Sequence, residues 1–206
     1  MNEHIHELRH ELRHELRRRN FLGAALALAA GAASAGASTR LLAQGARLSP
    51  TPECRPGRNT PAQTEGPFYS PRTPLKTSFR PDAPGEPIVL EGFVLTTQCT
   101  PLAGAWLDFW HADSTGEYDN AGFRLRGHQV SDAHGRYRLE TILPALYRGR
   151  TRHIHVKVRA KEGGRILTTQ TYFPGDPDNA RDSLYRPELV ARKSGALLSF
   201  DFVLPA

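Results

Sequence analysis

HIHVKVRAKEGGRILTTQTYF, residues 153–173, alternates in character at every second position on both sides of a glycine-rich centre. Val, Ile, Thr, Tyr and Phe in alternation suit a pleated, half-buried surface, and KEGGR (161–165) supplies a tight turn between two such runs. The stretch therefore reads as a β-hairpin. On a strand, residues i and i+2 point to the same side, so His153 and His155 share one face while Ile154 enters the core on the other. A two-residue loop at Glu162 and Gly163 sets Gln170 across from His155. A loop at Gly163 and Gly164 pairs His155 with Tyr172 instead and leaves Gln170 on the same face. A slip of one residue would reverse that.

Outward from the hairpin the same period recurs. PIVLEGFVLTT (87–97), LAGAWLDFWHA (102–112), RYRLETIL (136–143), HIHVKVRA (153–160), RILTTQTYF (165–173) and ALLSFDFVL (196–204) are the expected strands. In the last, Leu198, Phe200, Phe202 and Leu204 share a face, while Ser199 and Asp201 take the other. No helical stripe of comparable clarity follows residue 46. Short strands joined by Gly, Pro and Asp turns indicate an all-β domain, a β-sandwich or a barrel, with the sandwich preferred. Residues 46–86 are proline-rich and aperiodic, so they are expected to form an extended arm over the sandwich, with TEGPFY (64–69) near its middle.

The chain has 206 residues, 39% hydrophobic and 23% charged, which suits one globular domain with an appendage. That appendage is residues 1–45, with the domain at 46–206. FLGAALALAAGAA (21–33) follows Arg17, Arg18 and Arg19 and precedes small residues, as in a cleavable export signal, and it is too short for a stop-transfer helix. RRNFL (18–22) resembles a twin-arginine signal, which places the mature protein in the periplasm or outside the cell without stable membrane insertion. An ordinary secretory signal is the alternative. A second HIH, at residues 4–6 among HELR repeats, is expected to be removed with this segment. Residues 1–45 hold six Arg and four Glu, so the remainder carries +4 of the overall +6, without a basic block; nucleic acid is not an expected partner. Cys54 and Cys99 are the two cysteines, and an oxidising compartment makes a disulfide the first expectation, two free thiols the second.

An isolated His-x-His pair means little. Here Tyr147 and Arg150 lie just upstream, and Tyr118 sits in the turn-rich HADSTGEYDN. Two neutral imidazoles and two phenolates suit ferric iron, whereas zinc would more often recruit Cys or a carboxylate.

TEGPFY, LEGFV (90–94), CTPLAGAWLDFWHAD (99–113) leading to GEY (116–118), YRGRTRHIH (147–155) and TTQTYFPGDP (168–177) together resemble the intradiol ring-cleavage dioxygenases, non-haem Fe(III) enzymes that open catechols between their hydroxyls. The similarity spans about Cys54 to Phe173. Carried over residue by residue, it implies iron ligands at Tyr118, Tyr147, His153 and His155, with Tyr147 and His155 as the axial pair. Tyr147 would leave the metal when substrate binds. Arg150 and Gln170 match residues that face the substrate, and Phe68, Tyr69 and Trp110 are candidate walls of an aromatic slot, each with ordinary packing as the alternative. A small aromatic diol and O2 would be the partners and a cis,cis-muconate-type diacid the product. The compact Tyr-x-x-Arg-x-x-His-x-His order looks like a small extracytoplasmic branch, without room for the helical dimerisation domain of catechol 1,2-dioxygenases. A homo-oligomer stays compatible with the sequence.

Arg152, where many relatives carry a small residue, and Gly149, where some place a tryptophan, bear on substrate choice. Arg152 is a candidate partner for a substrate carboxylate. His111, His128 and His134 fall near turns or strand ends and are expected to be structural or superficial. A cupin site would need an acid three or four positions after His155, but VKVRAKE delays it to Glu162 in the turn. The non-catalytic alternative is a secreted β-sandwich that binds carbohydrate or protein.

Overall fold

The computed structural model describes residues 54–205. The expected export signal, the first HIH and the domain boundary at residues 45 and 46 lie outside them.

Among the described residues, nine strands form two sheets. In chain order they are β1 (Pro87–Thr96), β2 (Trp106–Trp110), β3 (Arg126–Val130), β4 (Arg136–Ile142), β5 (His153–Arg159), β6 (Ile166–Tyr172), β7 (Arg192–Ser194), β8 (Leu197–Ser199) and β9 (Phe202–Leu204). One sheet runs β4-β1-β8-β7 with β9 also paired to β1; the other runs β3-β2-β5-β6. Ile88, Leu90, Leu107, Phe109, Leu139, Ile154, Val156 and Val158 fill the space between them. This is the expected all-β sandwich, closed by burying alternate residues of both sheets.

The expected strand at 196–204 is broken. β8 and β9 both pair parallel to β1 in one continuous register, Val89 with Leu197 and Val94 with Phe202. Between them the Phe93 amide donates to the Asp201 carboxylate at 2.9 Å. Gly92 is required at this crossing, because a Cβ there would lie 1.9 Å from the Phe200 carbonyl oxygen. The predicted apolar face survives the break, with Leu198, Phe200, Phe202 and Leu204 all buried.

β3 had no apolar alternation to announce it. Its pattern is inverted, with Arg126 buried and Val130 exposed. It exists because Trp106–Trp110 pairs with it along five consecutive residues.

The arm is a strap. It meets the edge of β6 where the Gln63 backbone N–H donates to the Thr168 carbonyl, crosses the outer face of the β3-β2-β5-β6 sheet, and reaches β3, where the Lys76 backbone N–H donates to the His128 carbonyl. It ends on β4 through Phe79 and Glu140. Both edges of that sheet are thus covered, which removes the usual liability of an open edge. Cys54 and Cys99 form the expected disulfide, joining the start of the arm to the β1–β2 turn. Closing 45 residues contributes at most roughly 4 kcal/mol on the chain-entropy model.

Candidate functional site

The site lies on the outer face of the β3-β2-β5-β6 sheet, under the arm. β5 turns Ile154, Val156 and Val158 to the core and leaves His153, His155 and Lys157 on the other side, all nearly buried by what lies above. The hairpin register is the one with Glu162 and Gly163 in the loop: His155 pairs with Gln170, and His153 with Tyr172. On β2, Trp110 pairs with His155 and Asp108 with Lys157, so one row of polar groups runs across three strands.

The Nε2 atoms of His153 and His155 face each other at 3.1 Å, and the Tyr118 hydroxyl oxygen lies 3.3 Å from Nε2 of His153. Nδ1 of His153 is 2.6 Å from the Thr151 carbonyl, which can only accept, so that nitrogen carries the proton and Nε2 presents a lone pair. Nδ1 of His155 is buried without a partner. Its ring is stacked on Trp110 at 4.8 Å and 8°. Against its edge lies Gly66 of TEGPFY, where an added Cβ would be 3.6 Å from Cε1. Burial, helped by the Arg150 charge, lowers the His153 pKa to about 4, and burial, His153 and Arg150 hold His155 well below its usual range. Both imidazoles are neutral at pH 7, the form that binds metal.

Tyr118 is carried by the loop after β2. Asp113 shapes that loop by accepting from the amides of Thr115 and Glu117 and from Arg124. Gly116 touches the loop that bears Tyr147 so closely that a Cβ would lie 2.4 Å from the Leu146 carbonyl oxygen. The two tyrosine rings meet edge to face at 5.4 Å. Phe68 stacks on Tyr118 at 4.5 Å and meets Tyr147 edge-on. Buried Arg126 donates to the carbonyls of Phe68 and Asp119, clasping arm and loop together. Burial pushes the Tyr118 phenol up, opposed by Arg150 and Arg126.

Arg150 donates through Nε to Asp182 at 2.8 Å and through Nη2 to Oε1 of Gln170 at 2.7 Å. Gln170 donates to the Thr64 carbonyl, which fixes its amide orientation. The Tyr172 hydroxyl lies within 2.9 Å of both Gln170 Oε1 and the Leu184 carbonyl oxygen, and burial raises its pKa to about 12 against the pull of Arg150. The Asp182 side chain is 1% exposed and also accepts from the Thr151 amide. Sequence reasoning missed Asp182. It looks like one more turn residue in GDPDNARDS, and nothing local marks it as the anchor of Arg150.

The three expected wall residues have different surroundings. Phe68 lies beside both tyrosines and Trp110 backs His155. Tyr69 packs on Trp110 at 4.8 Å, but its hydroxyl donates to Asp108 and its ring lies under Lys157. Thr73 completes the Asp108 cage. Arg152 donates to Asp176, whose side chain is 2% exposed, so its charge is already engaged. His111 is enclosed by Thr141 and Ala112, His128 bonds Thr73, and His134 is exposed in a turn.

The donor set suits a hard, trivalent metal. Two imidazole nitrogens and a phenol oxygen converge with too few protons to satisfy one another, a shortage that a cation between them would relieve, and the ring of a second tyrosine stands beside them. Since tyrosine makes up half the set, no group of three His, Cys, Asp or Glu forms among the described residues.

A family model described as dioxygenase matches residues 64–204. A chlorocatechol 1,2-dioxygenase from Rhodococcus opacus is 30% identical over 189 residues, covering 72% of this chain and 73% of that protein. A catechol 1,2-dioxygenase from Acinetobacter baylyi is 31% identical over 156 residues, and the match spans 50% of its length. Among solved structures, the dioxygenase domain of a dioxygenase and carbohydrate-binding protein fusion from Streptomyces sp. SirexAA-E aligns with a TM-score of 0.68 at 48% identity, covering 72% of this chain and 99% of that one.

Proposed function

We propose, from the premise that this chain belongs to the intradiol ring-cleavage dioxygenases, that it is an exported non-haem Fe(III) enzyme opening a catechol between its hydroxyl-bearing carbons. Both atoms of O2 enter the product, a cis,cis-muconate-type diacid. The observation that carries the reading is the convergence of His153, His155 and Tyr118 beside Tyr147, with Arg150 fixed by Asp182 and Gln170. Export rests on the apolar run at residues 21–33 and the arginines before it.

Tyr118, Tyr147, His153 and His155 would hold the iron, whose Lewis acidity toward both catechol oxygens is the chemistry it supplies when bound. The protein's own part is proton transfer, positioning and charge. Tyr147, which would hold the iron through its deprotonated oxygen, is the tyrosine suited to take up a catechol proton there: it is half-buried, while Tyr118 is 8% exposed and stacked on Phe68. Tyr118 stays in place. The Arg150 guanidinium, held rigid by a buried carboxylate, offers fixed positive charge to the oxygen of the ring as it gains ketone character. Gln170 keeps Arg150 aimed, and Trp110 with Gly66 excludes water from the back of His155.

The test is the purified mature chain loaded with ferric iron. Tyrosinate bound to Fe(III) should give strong visible absorption, and O2 uptake should accompany loss of catechol. A colourless, inert preparation would overturn the proposal in favour of a binding module.

A further inference from the structure

Four arginines surround the site, and three donate to oxygen acceptors: Arg126 to the carbonyls of Phe68 and Asp119, Arg150 to Asp182 and Gln170, and Arg152 to Asp176. Arg148 differs. Among the described residues its guanidinium meets only the face of the Tyr147 ring, 5.5 Å from the centroid, and it is exposed to solvent. Its backbone is held at φ 40°, with Gly149 at φ 76°, and the Arg150 amide closes the turn onto the Tyr147 carbonyl at 2.7 Å. A left-handed, non-glycine residue is unfavourable by roughly 1–2 kcal/mol, so the turn sets a cation beside Tyr147 at a position where glycine or asparagine would sit more easily. Leu146, directly before the turn, is an exposed apolar side chain.

We propose that Arg148 is a specificity-determining residue that selects catechols carrying an anionic side arm, its guanidinium pairing with the arm's carboxylate. This rests on the ring-cleavage reading and narrows its substrate class. A planar guanidinium binds a carboxylate through two parallel N–H donors, and Arg148 can do so without surrendering an existing oxygen partner. Arg152, the sequence candidate for this task, already has its charge offset by buried Asp176. An exposed pair of this kind contributes up to about 1 kcal/mol, or roughly fivefold in affinity.

The acid 3,4-dihydroxycinnamate and its methyl ester share the reacting ring and differ by one charge. The acid-to-ester ratio of kcat/KM in the iron-loaded enzyme should exceed unity and fall about three- to fivefold in Arg148→Gln. Arg148→Gly removes the same charge while relieving the backbone, and the ratio should fall equally. Salt at about 0.5 M should compress the wild-type ratio, because the pair is exposed to screening. Calorimetric Kd values for 4-hydroxycinnamate and its methyl ester read the same preference without turnover. A protein that binds these but cleaves neither catechol loses the ring-cleavage reading, and the Kd ratio still decides Arg148. A ratio at or below unity in the wild type, or one unchanged in both variants, overturns the proposal.

Discussion

The two sheets share one core, but their outer faces differ. The outer face of the β3-β2-β5-β6 sheet is roofed by the arm, and the polar residues on it are buried: Asp108 and Gln170 are each fully inaccessible, and His155 is nearly so. The outer face of the other sheet opens as a groove of about 730 Å³ lined by Glu91, Phe93, Arg138 and Glu140. There Arg138 pairs with Glu91 and Glu140 while its side chain stays 54% exposed. The groove is lined by exposed, mutually paired charges, whereas the polar groups under the arm are buried. Strands with similar alternation yield a reactive face only where a segment from elsewhere removes water, because desolvation shifts ionisation and deepens electrostatic interactions.

Removing a group at the focus of the roofed face should have the largest effect. His153→Ala should lower turnover by more than about a hundredfold and abolish iron retention, since even residues supporting metal ligands cost 10- to 100-fold. Metal analysis of the purified variant checks this, and full iron content with full activity would refute the ligand assignment. Tyr147→Phe should also cut turnover strongly, read by O2 uptake.

Asp182→Ala comes next. It leaves Arg150 partly buried without its carboxylate, and breaking such a pair is destabilising by roughly 3–5 kcal/mol, visible as a lower denaturant midpoint. Turnover should fall with it as Arg150 loses its aim.

Acid should act on the roofed side through the loop bearing Tyr118. Burial pushes the Asp113 carboxyl up, but the hydroxyl and amide of Thr115, the Glu117 amide and Arg124 outweigh it and bring the pKa to about 2. A depressed folded-state pKa stabilises the protein above the ordinary carboxylate range, so this contribution should be lost as pH falls from about 4 through about 2. Unfolding midpoints across that window should decline less in Asp113→Asn, which has no carboxyl to protonate.

The smallest effect belongs to the open groove. Arg138→Ala removes two solvent-screened ion pairs and should change stability by less than about 1 kcal/mol, with no change in turnover. A loss comparable to that of Asp182→Ala would break the contrast between the faces.

Much of this architecture was legible. Period two marked β1, β2, β4, β5 and β6, and the turn limited the partner of His155 to Gln170 or Tyr172, of which the structure takes Gln170. β3 was hidden because its core-facing positions are Gly127 and Gln129, and because its buried Arg126 lies on the face under the arm, so no apolar pattern reports it. The break between β8 and β9 was hidden because it depends on the Phe200 carbonyl reaching Gly92, over a hundred residues earlier in the chain.

The sequence by itself determined which residue types stand two apart on one side of a strand, and hence that His153 and His155 could serve one ion. Pleat geometry is local, so neighbours in the chain suffice to read it. Only the tertiary structure decided that Asp182 anchors Arg150 from 32 residues away, that Arg152 is already paired and that Arg148 is not. Burial and ion pairing are set by segments distant in sequence, whose approach no local pattern encodes.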